Sequence, residues 1–239
     1  MPVPMARLQE ALRSLRTLRL LGDIGRSGGS LTSVADLVDN FADSQQMSFC
    51  LERFLALPGG RELLAEAPAP LQLDLASLAQ LPRGTLGHSV AGVLLRLGYD
   101  PDFARPRPVA TPQQWLIQRL ATTHDIHHVV SGFATVGEGE NGVLAITAVQ
   151  IGFPAFVVLN TAASFGSFRF QPERYALVSQ AIARGMAIGL ASAPFCVQRW
   201  EEGWERPLAD WRRQLGVLDP LQDEPYAMRR MLDDLDAEL

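Results

Sequence analysis

The sequence predicts a mostly α-helical protein, a single-domain helical bundle with a buried central helix that a proline interrupts. Apolar residues recur at spacings of three and four along most of the chain, and few windows alternate with period two. With 239 residues, of which 47% are hydrophobic and 20% charged, the chain is long enough to bury one sizeable core. We therefore expect residues 1–239 to form one helical domain.

Residues 1–20 predict an amphipathic helix with arginines opposite a leucine stripe. The stripe consists of Leu8, Leu12, Leu15 and Leu18. Packing of this stripe on the core is the expected role, and contact with an anionic membrane is the alternative. The Arg-rich pattern also resembles an organellar transit peptide, although the helical pattern runs on without a processing break.

Glycine and proline divide the next part of the chain into shorter helices. A Gly/Ser-rich loop is expected at 22–30. Helical segments are predicted at 33–57, 61–67, 71–81, 88–97 and 113–130. Thr111 and Pro112 provide an N-cap and a first-turn proline for the last of them.

The stretch 141–168 contains no charged residue. A membrane span needs about 20 apolar residues, but Pro154 in the middle and the polar Gln150 and Asn160 argue against one. The favoured interpretation is a buried helix, broken near Pro154 and followed by a second apolar piece. An apolar wall of a cavity for a hydrocarbon ligand is a further option.

Two more helices are predicted before the C-terminus. Residues 174–190 are rich in alanine and glycine, which permit close helix approach, and residues 199–216 are amphipathic. Expected anchors of the second helix are Trp200, Trp204, Trp211 and Leu215. Residues 219–239 predict an acidic, partly ordered tail.

Charge and cysteine content exclude several classes of protein. The 21 basic and 26 acidic residues give a net charge of −5, which does not suggest a nucleic-acid partner. Cys50 and Cys196 form no CxxC motif, so we expect two buried thiols in a reducing compartment. The N-terminus lacks a secretory pattern.

Three histidines lie within five residues and are the main candidates for a functional site. His124 and His128 are four residues apart and share one face of a helix, which suits two imidazole ligands of one metal. Asp125 can reach the same metal or accept a ring N–H from a ligand. Glu140 follows a glycine-containing break and can complete a His/His/carboxylate site. His127 is expected at the surface or in a supporting position behind the ligands.

Three other interpretations of the histidine cluster are possible. A zinc protease of the HExxH type is disfavoured because Asp125, which stands at the glutamate position, is one methylene too short. A metal-dependent phosphohydrolase is disfavoured because the remaining histidine, His88, has no partner motif. Solvated histidines without a metal are the remaining alternative.

The histidine pattern resembles the signature of the coenzyme Q biosynthesis protein 4 family. In this chain the signature consists of His124-Asp125-x-x-His128, eleven further residues with glycines among them, and then Glu140. The likeness extends to the Arg/Leu-rich first helix, the turn at 81–87 and the tryptophan-containing segment at 200–216. Family members commonly carry a serine and a nearby tyrosine at that turn, where this chain has Thr85 and no tyrosine, so a role of the turn in holding a ligand is less expected than the metal site.

The resemblance implies a mostly helical fold and one divalent metal, zinc or iron, held by His124, Asp125, His128 and Glu140. It also implies an apolar cavity for a polyprenyl chain, which the segments 141–168 and 176–190 can line. The implied activity is oxidative decarboxylation of a polyprenylated hydroxybenzoate in ubiquinone biosynthesis, with hydroxyl replacing the ring carboxylate. A non-catalytic lipid-binding scaffold that organises the pathway's enzymes at the membrane is the alternative.

The expected partners follow from the same resemblance. They are a polyprenylated aromatic substrate, a membrane surface and other ubiquinone-biosynthesis enzymes, with a homodimer also expected and nucleic acid not. The expected location is cytoplasmic and peripheral on the inner face of the membrane, or the mitochondrial matrix side in a eukaryote.

Overall fold

The structure is a computed structural model that describes residues 5–27, 30–98, 109–222 and 224–237. Twelve α-helices account for most of these residues. The side chains of residues 5–8, which include Leu8 of the leucine stripe, and of 236 and 237 lie outside this description. Apart from two isolated bridges, the regular structure in these ranges is helical. The predicted mostly α-helical fold is confirmed.

Many helix bounds follow the punctuation of the sequence, but two predictions are wrong. The predicted segment 33–57 is divided into two helices, because the Ser44 side chain accepts from the Met47 backbone and caps a new helix, and the first helix continues to Arg26 into the predicted loop 22–30. The α-helices are α1 Met5–Arg26, α2 Leu31–Phe41, α3 Gln45–Ala56, α4 Gly60–Glu66, α5 Leu75–Ala79, α6 Leu86–Arg96, α7 Pro112–Ser131, α8 Gly137–Ile151, α9 Pro154–Phe170, α10 Pro172–Ala191, α11 Leu208–Leu215 and α12 Met228–Ala237. Short 3-10 helices lie at Phe195–Val197 and Trp200–Glu202. At α7, the Thr111 hydroxyl accepts from the Gln114 backbone and the Gln114 side chain returns the bond, a capping box with Pro112 in the first turn.

Helix α1 does not pack on the core through its leucine stripe, contrary to expectation. The Arg13 guanidinium donates to the Asn40 carbonyl oxygen, and the Asn40 amide donates to Thr17 Oγ1 at 2.9 Å. Because these polar anchors turn the Arg13/Thr17 face toward α2, the leucines point outward. Their exposed fractions are 57% for Leu12, 65% for Leu15 and 68% for Leu18.

Helix α7 runs between two hydrophobic clusters. Its first half, with Trp115 and Leu116, packs in the cluster that contains α2 and α3. Its second half, with Ile126 and Val130, packs in the cluster that contains α6 and α11. The histidines of α7 therefore lie on a helix that packs in both hydrophobic clusters.

The uncharged segment forms two helices that are broken at Pro154, as predicted. Helix α8 is largely buried and ends at Gly152 in the left-handed conformation, and Pro154 begins α9. A Cβ atom on Gly185 of α10 would lie 2.0 Å from the Gly142 carbonyl oxygen of α8. The small residues of α10 thus permit close contact with α8 at this point, and no room for a hydrocarbon remains between these two glycines. Within the described ranges, the helices are too short or too polar to span a bilayer.

The region 199–216 is not one helix, contrary to prediction. Trp200–Glu202 forms a 3-10 turn, and α11 begins only after Pro207. Proline has no N–H to donate and restricts the residue before it, which interrupts the helix. The Leu208 amide instead donates to the Gly84 carbonyl at 2.9 Å, beside the bridge between Thr85 and Pro207.

Part of the segment 219–239 is buried in the core, whereas the sequence predicts a partly ordered tail there. Leu221, Tyr226, Ala227 and Met228 are buried in the cluster around α6 and the second half of α7. The acidic residues of α12 follow this buried stretch.

Both cysteines are buried, as expected. Burial raises the pKa of the Cys50 and Cys196 thiols to about 12 in each case. Their thiolate forms are therefore scarce at neutral pH.

Candidate metal centre

The chain turns tightly between α7 and α8, because two glycines there allow the backbone to pack closely. Gly132 ends α7 with φ of 85°, and a Cβ atom there would lie 2.9 Å from the Leu221 carbonyl oxygen. A Cβ atom on Gly139 would lie 2.3 Å from the Ala134 carbonyl oxygen. The first turn of α8 can therefore approach the end of α7, which brings Glu140 back to the histidines.

Three of the four predicted ligands converge. His124 Nε2 lies 2.8 Å from Glu140 Oε1, and His128 Nε2 lies 3.1 Å from Glu140 Oε2. The two Nε2 atoms are 3.1 Å apart. Each of these three residues offers one ligand atom, and the three atoms all lie within 4.8 Å of one another.

The donor set fits a divalent cation. The Nδ1 atom of His128 lies 3.2 Å from the Phe133 carbonyl oxygen, which can only accept, so Nδ1 carries the proton and donates it. In the neutral ring the Nε2 lone pair then faces the Glu140 carboxylate. A lone pair and a carboxylate held this close require a cation or a proton between them, and two imidazoles with a carboxylate suit zinc or iron.

The electrostatics hold Glu140 ionised. Burial alone would raise the pKa of its carboxyl, but the neighbouring His124 and His128 outweigh burial and hold that pKa far below its ordinary value. Burial alone would lower the pKa of His124, but the Glu140 carboxylate and the Asp125 charge outweigh burial and raise it. A carboxylate that stays charged beside two imidazoles is a suitable metal ligand.

Asp125 is not among the ligand atoms that converge. It is half-buried on α7 beside His124, and the structure connects it to the cluster through its charge. Its role as a fourth ligand stays a prediction.

His127 lies in the core, so the prediction of a surface or supporting position is wrong. Its ring is 1% exposed and packs edge-on against Phe195 and at a tilt against Trp200, with centroid distances of 5.3 and 6.0 Å. Neither ring nitrogen has a hydrogen-bond partner. Burial, reinforced by the charges of His124 and His128, lowers the pKa of His127 well below its usual value.

Sequence reasoning missed three contributors to the surroundings of the cluster. They are the Phe133 carbonyl, the Phe156 ring 5.8 Å from the His124 ring, and the Asn160 side chain, whose oxygen accepts from the Asn141 amide at 3.3 Å. Asn160 carried a usable signal, because a buried amide within an uncharged segment needs a polar partner.

The profile described as coenzyme Q (ubiquinone) biosynthesis protein Coq4 matches residues 30–220. The chain belongs to the Coq4 family. Curated relatives named mitochondrial ubiquinone biosynthesis protein COQ4 include one from Coprinopsis cinerea, 28% identical over 72% of this chain and 60% of its own length. Another, from Pyricularia oryzae, is 30% identical over 83% of this chain and 67% of its own length.

A crystal structure of a protein from Nostoc punctiforme that has been assigned to ubiquinone biosynthesis has a similar fold. It aligns with a TM-score of 0.78 at 27% identity, covering 87% of this chain and 97% of that one. The chain spans about 50–60% of the length of the first curated Coq4 relatives that it matches. The expected family resemblance is thus confirmed.

In this Coq4-family chain, Thr85 has a structural role at the start of α6. Its hydroxyl accepts from the His88 backbone amide at 3.3 Å and donates to the Pro82 carbonyl at 2.8 Å, which caps α6. Its methyl-bearing side chain is buried, so it serves the turn rather than an open site.

Replacing His127 with leucine is expected to stabilise the protein at pH 7 by about 1 kcal/mol, because the substitution removes two buried ring nitrogens without partners. Urea unfolding of the metal-loaded variant and wild type measures the difference. Metal content should not change, since the ring points to Phe195 and Trp200. A loss of more than about 1 kcal/mol with metal retained would contradict this expectation and indicate that the His127 ring makes a stabilising polar contact.

Proposed function

We propose that this chain acts in ubiquinone biosynthesis as a metal-dependent enzyme that removes the ring carboxylate of a polyprenylated hydroxybenzoate as CO2, with a hydroxyl from water taking its place. Dioxygen accepts the two electrons that the ring carbon loses and leaves as hydrogen peroxide. The observation that supports this most strongly is the convergence of His124, His128 and Glu140. Asp125 is the proposed fourth ligand. When bound, a divalent ion supplies a positive charge that polarises a substrate oxygen, and iron suits a reaction that consumes oxygen better than zinc does.

The residues of the chain provide orientation and access. The Phe133 carbonyl fixes the His128 ring, so its Nε2 atom is aimed at the ligand position before any ion arrives. Glu140 keeps 38% of its side-chain exposure, which leaves one side of the cluster open to a head group. Phe156 covers the His124 side with an apolar ring.

Two amides beside the cluster suit the uncharged oxygens of an aromatic substrate. Asn141 follows Glu140 on α8, and Asn160 faces it from α9. After their mutual bond, each amide keeps further donor or acceptor capacity. We infer that this pair orients the ring oxygens, while the apolar residues of α9 accompany the isoprenoid tail.

The predicted apolar cavity next to the metal remains part of the proposal. Two pockets among the described residues have volumes of about 290 and 510 Å³, and the ligand triad lines neither of them. The first lies between the start of α8 and the C-terminal segment, and the second lies between α3 and the end of α8.

A non-catalytic lipid-binding scaffold is the second candidate. The observation that favours it is that the ligand atoms join α7 directly to α8, so an ion there would also tie the two helices together. In that case the ion would be coordinatively closed, whereas an enzyme needs a position open to substrate.

Membrane attachment and partners belong to the same proposal. The exposed leucines of α1 lie beside the exposed Arg16 and Arg19, a composition typical of helices that lie on anionic membranes. We propose a peripheral position on the inner face of the membrane, on the matrix side in a eukaryote, with other ubiquinone-biosynthesis enzymes and a second copy of the chain as partners.

Turnover by the purified full chain tests the enzyme against the scaffold. The protein, loaded anaerobically with Fe²⁺, is given polyprenylated hydroxybenzoates of several tail lengths in detergent with oxygen, and product is followed by mass spectrometry. We expect the hydroxylated, decarboxylated product from wild type. Glu140→Gln keeps the side-chain shape but removes the anionic ligand, and its rate should be at least about 100-fold lower, because loss even of a group that only supports a metal ligand lowers metal affinity or activity about 10–100-fold. His127→Leu is the matched control and should retain turnover. Tight binding of metal and lipid without product would favour the scaffold.

A further inference from the structure

Residues 226–228, which we call the C-terminal clasp, pair antiparallel with the loop between α7 and α8. The Ala134 amide donates to the Tyr226 carbonyl oxygen at 2.9 Å, and the Met228 amide donates to the Gly132 carbonyl oxygen at 2.7 Å. An isolated antiparallel bridge lies between these two bonds. The clasp therefore holds the backbone of the loop at two points.

One peptide group of the loop connects the clasp to the metal centre. The Phe133 carbonyl and the Ala134 amide belong to the same planar peptide group, in which the C=O and N–H bonds point in opposite directions. On one side, the Ala134 amide donates to the Tyr226 carbonyl. On the other side, the Phe133 carbonyl oxygen lies 3.2 Å from His128 Nδ1 and accepts a hydrogen bond from it. The backbone of Tyr226 thus restrains the carbonyl that orients a proposed metal ligand.

The Tyr226 side chain restrains the same residue of the loop. Its ring stacks on the Phe133 ring, with centroids 5.9 Å apart and an angle of 25° between the planes. The Phe133 ring is buried and lies against Gly142 of α8, where a Cβ atom would come within 2.1 Å of it. Phe133 is therefore held between the clasp and α8, and loss of the Tyr226 ring would remove its support on the clasp side.

We propose that the C-terminal clasp positions the His128 ring for metal binding, and that Tyr226 is its positioning residue, acting through the Phe133 peptide group. Groups that orient a metal ligand commonly contribute about 10–100-fold to metal affinity or activity. The clasp lies beyond residue 220, where the match to the Coq4 profile ends, so membership of the family does not assign it this role. The proposal rests on the metal centre of the proposed function, but it does not depend on the decarboxylation.

Two substitutions of Tyr226 in the full chain test its role. Zn²⁺ affinity is measured by competition with a chromophoric chelator, and the visible absorption of bound Co²⁺ reports the geometry of the ligands. We expect Tyr226→Ala to bind Zn²⁺ at least about 10-fold more weakly than wild type and to change the Co²⁺ spectrum. Tyr226→Phe keeps the ring and should restore both values. Wild-type affinity and spectrum in Tyr226→Ala would overturn the proposal.

Leu86→Ala separates positioning from loss of stability. Leu86 is buried in the same hydrophobic cluster as Tyr226, but it begins α6, whereas Leu97, just after the end of α6, lines a pocket together with Ala134. The helix between Leu86 and Leu97 is roughly 16 Å long. Leu86→Ala should lose stability in urea and keep the wild-type Zn²⁺ affinity and Co²⁺ spectrum. If it loses as much affinity as Tyr226→Ala, general destabilisation explains both, and the proposal is wrong.

The backbone contacts of the clasp have a matched pair of their own. Met228 is the first residue of α12, a position that accepts proline because its amide has no partner within the helix. Met228→Pro removes the hydrogen bond to the Gly132 carbonyl, whereas Met228→Ala shortens the side chain and keeps that bond. We expect Met228→Pro to bind Zn²⁺ at least about 10-fold more weakly than Met228→Ala. Equal affinities of the two variants would overturn the role of the clasp backbone.

The failure of this proposal is distinguishable from failure of the proposed function. The measurements above do not use turnover, so an inactive wild type that binds Zn²⁺ still tests the clasp. If the wild type binds no metal, the Nδ1 proton of His128 is followed by NMR in the metal-free protein, because its hydrogen bond to the Phe133 carbonyl slows exchange with water. Faster exchange in Tyr226→Ala than in Tyr226→Phe would then support positioning by the clasp, and equal exchange would overturn it.

Discussion

Replacing His128 with alanine is expected to abolish stoichiometric metal binding. The substitution removes a buried imidazole whose Nε2 atom lies 3.1 Å from both His124 Nε2 and Glu140 Oε2. Loss even of a residue that only orients a ligand commonly lowers metal affinity about 10–100-fold, so loss of the ligand itself should exceed about 100-fold. Metal analysis of the purified protein and titration with Fe²⁺ or Zn²⁺ measure it.

The matched control is His127→Leu, one residue away on the same helix. Its ring faces Phe195 and Trp200 instead of the cluster, so metal content should equal that of wild type. Equal metal loss in both variants would point to general disruption of α7. Full metal retention in His128→Ala would refute the assignment of the site.

Replacing Glu201 with glutamine is expected to destabilise the fold by about 3 kcal/mol. Arg119 is 2% exposed, and its two terminal nitrogens lie 2.9 and 2.8 Å from the two Glu201 oxygens. Removal of one partner leaves a buried charge uncompensated, which typically costs about 3–5 kcal/mol. We take the low end because the Glu201 side chain is 27% exposed and the Gln198 carbonyl still accepts from Arg119 at 2.7 Å.

Urea unfolding measures this effect, and Glu202→Gln provides the matched control. Glu202 is a neighbouring carboxylate, 63% exposed, whose oxygen lies 3.4 Å from Arg199. Exposed pairs of this kind contribute about 0–1 kcal/mol. Equal small losses in both variants would show that the Arg119–Glu201 pair contributes little to stability.

The contribution of Glu201 also has a defined pH dependence. Burial alone would raise the pKa of its carboxyl, but the hydrogen bond from Arg119 outweighs burial and lowers it. The folded state therefore favours the ionised form, so this stabilisation is fully present above the ordinary glutamate pKa of about 4.3 and is lost as the pH falls through the lowered folded value. The stability difference between wild type and Glu201→Gln should shrink on acidification, and growth of that difference would contradict the assignment.

The sequence by itself determined many of the helix starts and three residues of the candidate metal centre. Capping residues and prolines act within one turn, so Thr111, Pro112 and Pro154 defined the starts of α7 and α9 before any tertiary contact was known. The spacing of His124 and His128 places their rings on one helix face because of backbone geometry alone. The glycines between α7 and α8 then allow Glu140 to return to them.

Only the tertiary structure decided which helix faces are covered. Periodicity groups the leucines of α1 on one face, but contacts of Arg13 and Thr17 with Asn40 determine that this face points to solvent. His127 is buried because Phe195 and Trp200, far along the chain, pack against it. A helical pattern fixes the relative directions of side chains within a turn, whereas burial and ion pairing depend on residues such as Glu201 that lie 82 positions from their partner, and no local spacing specifies those contacts.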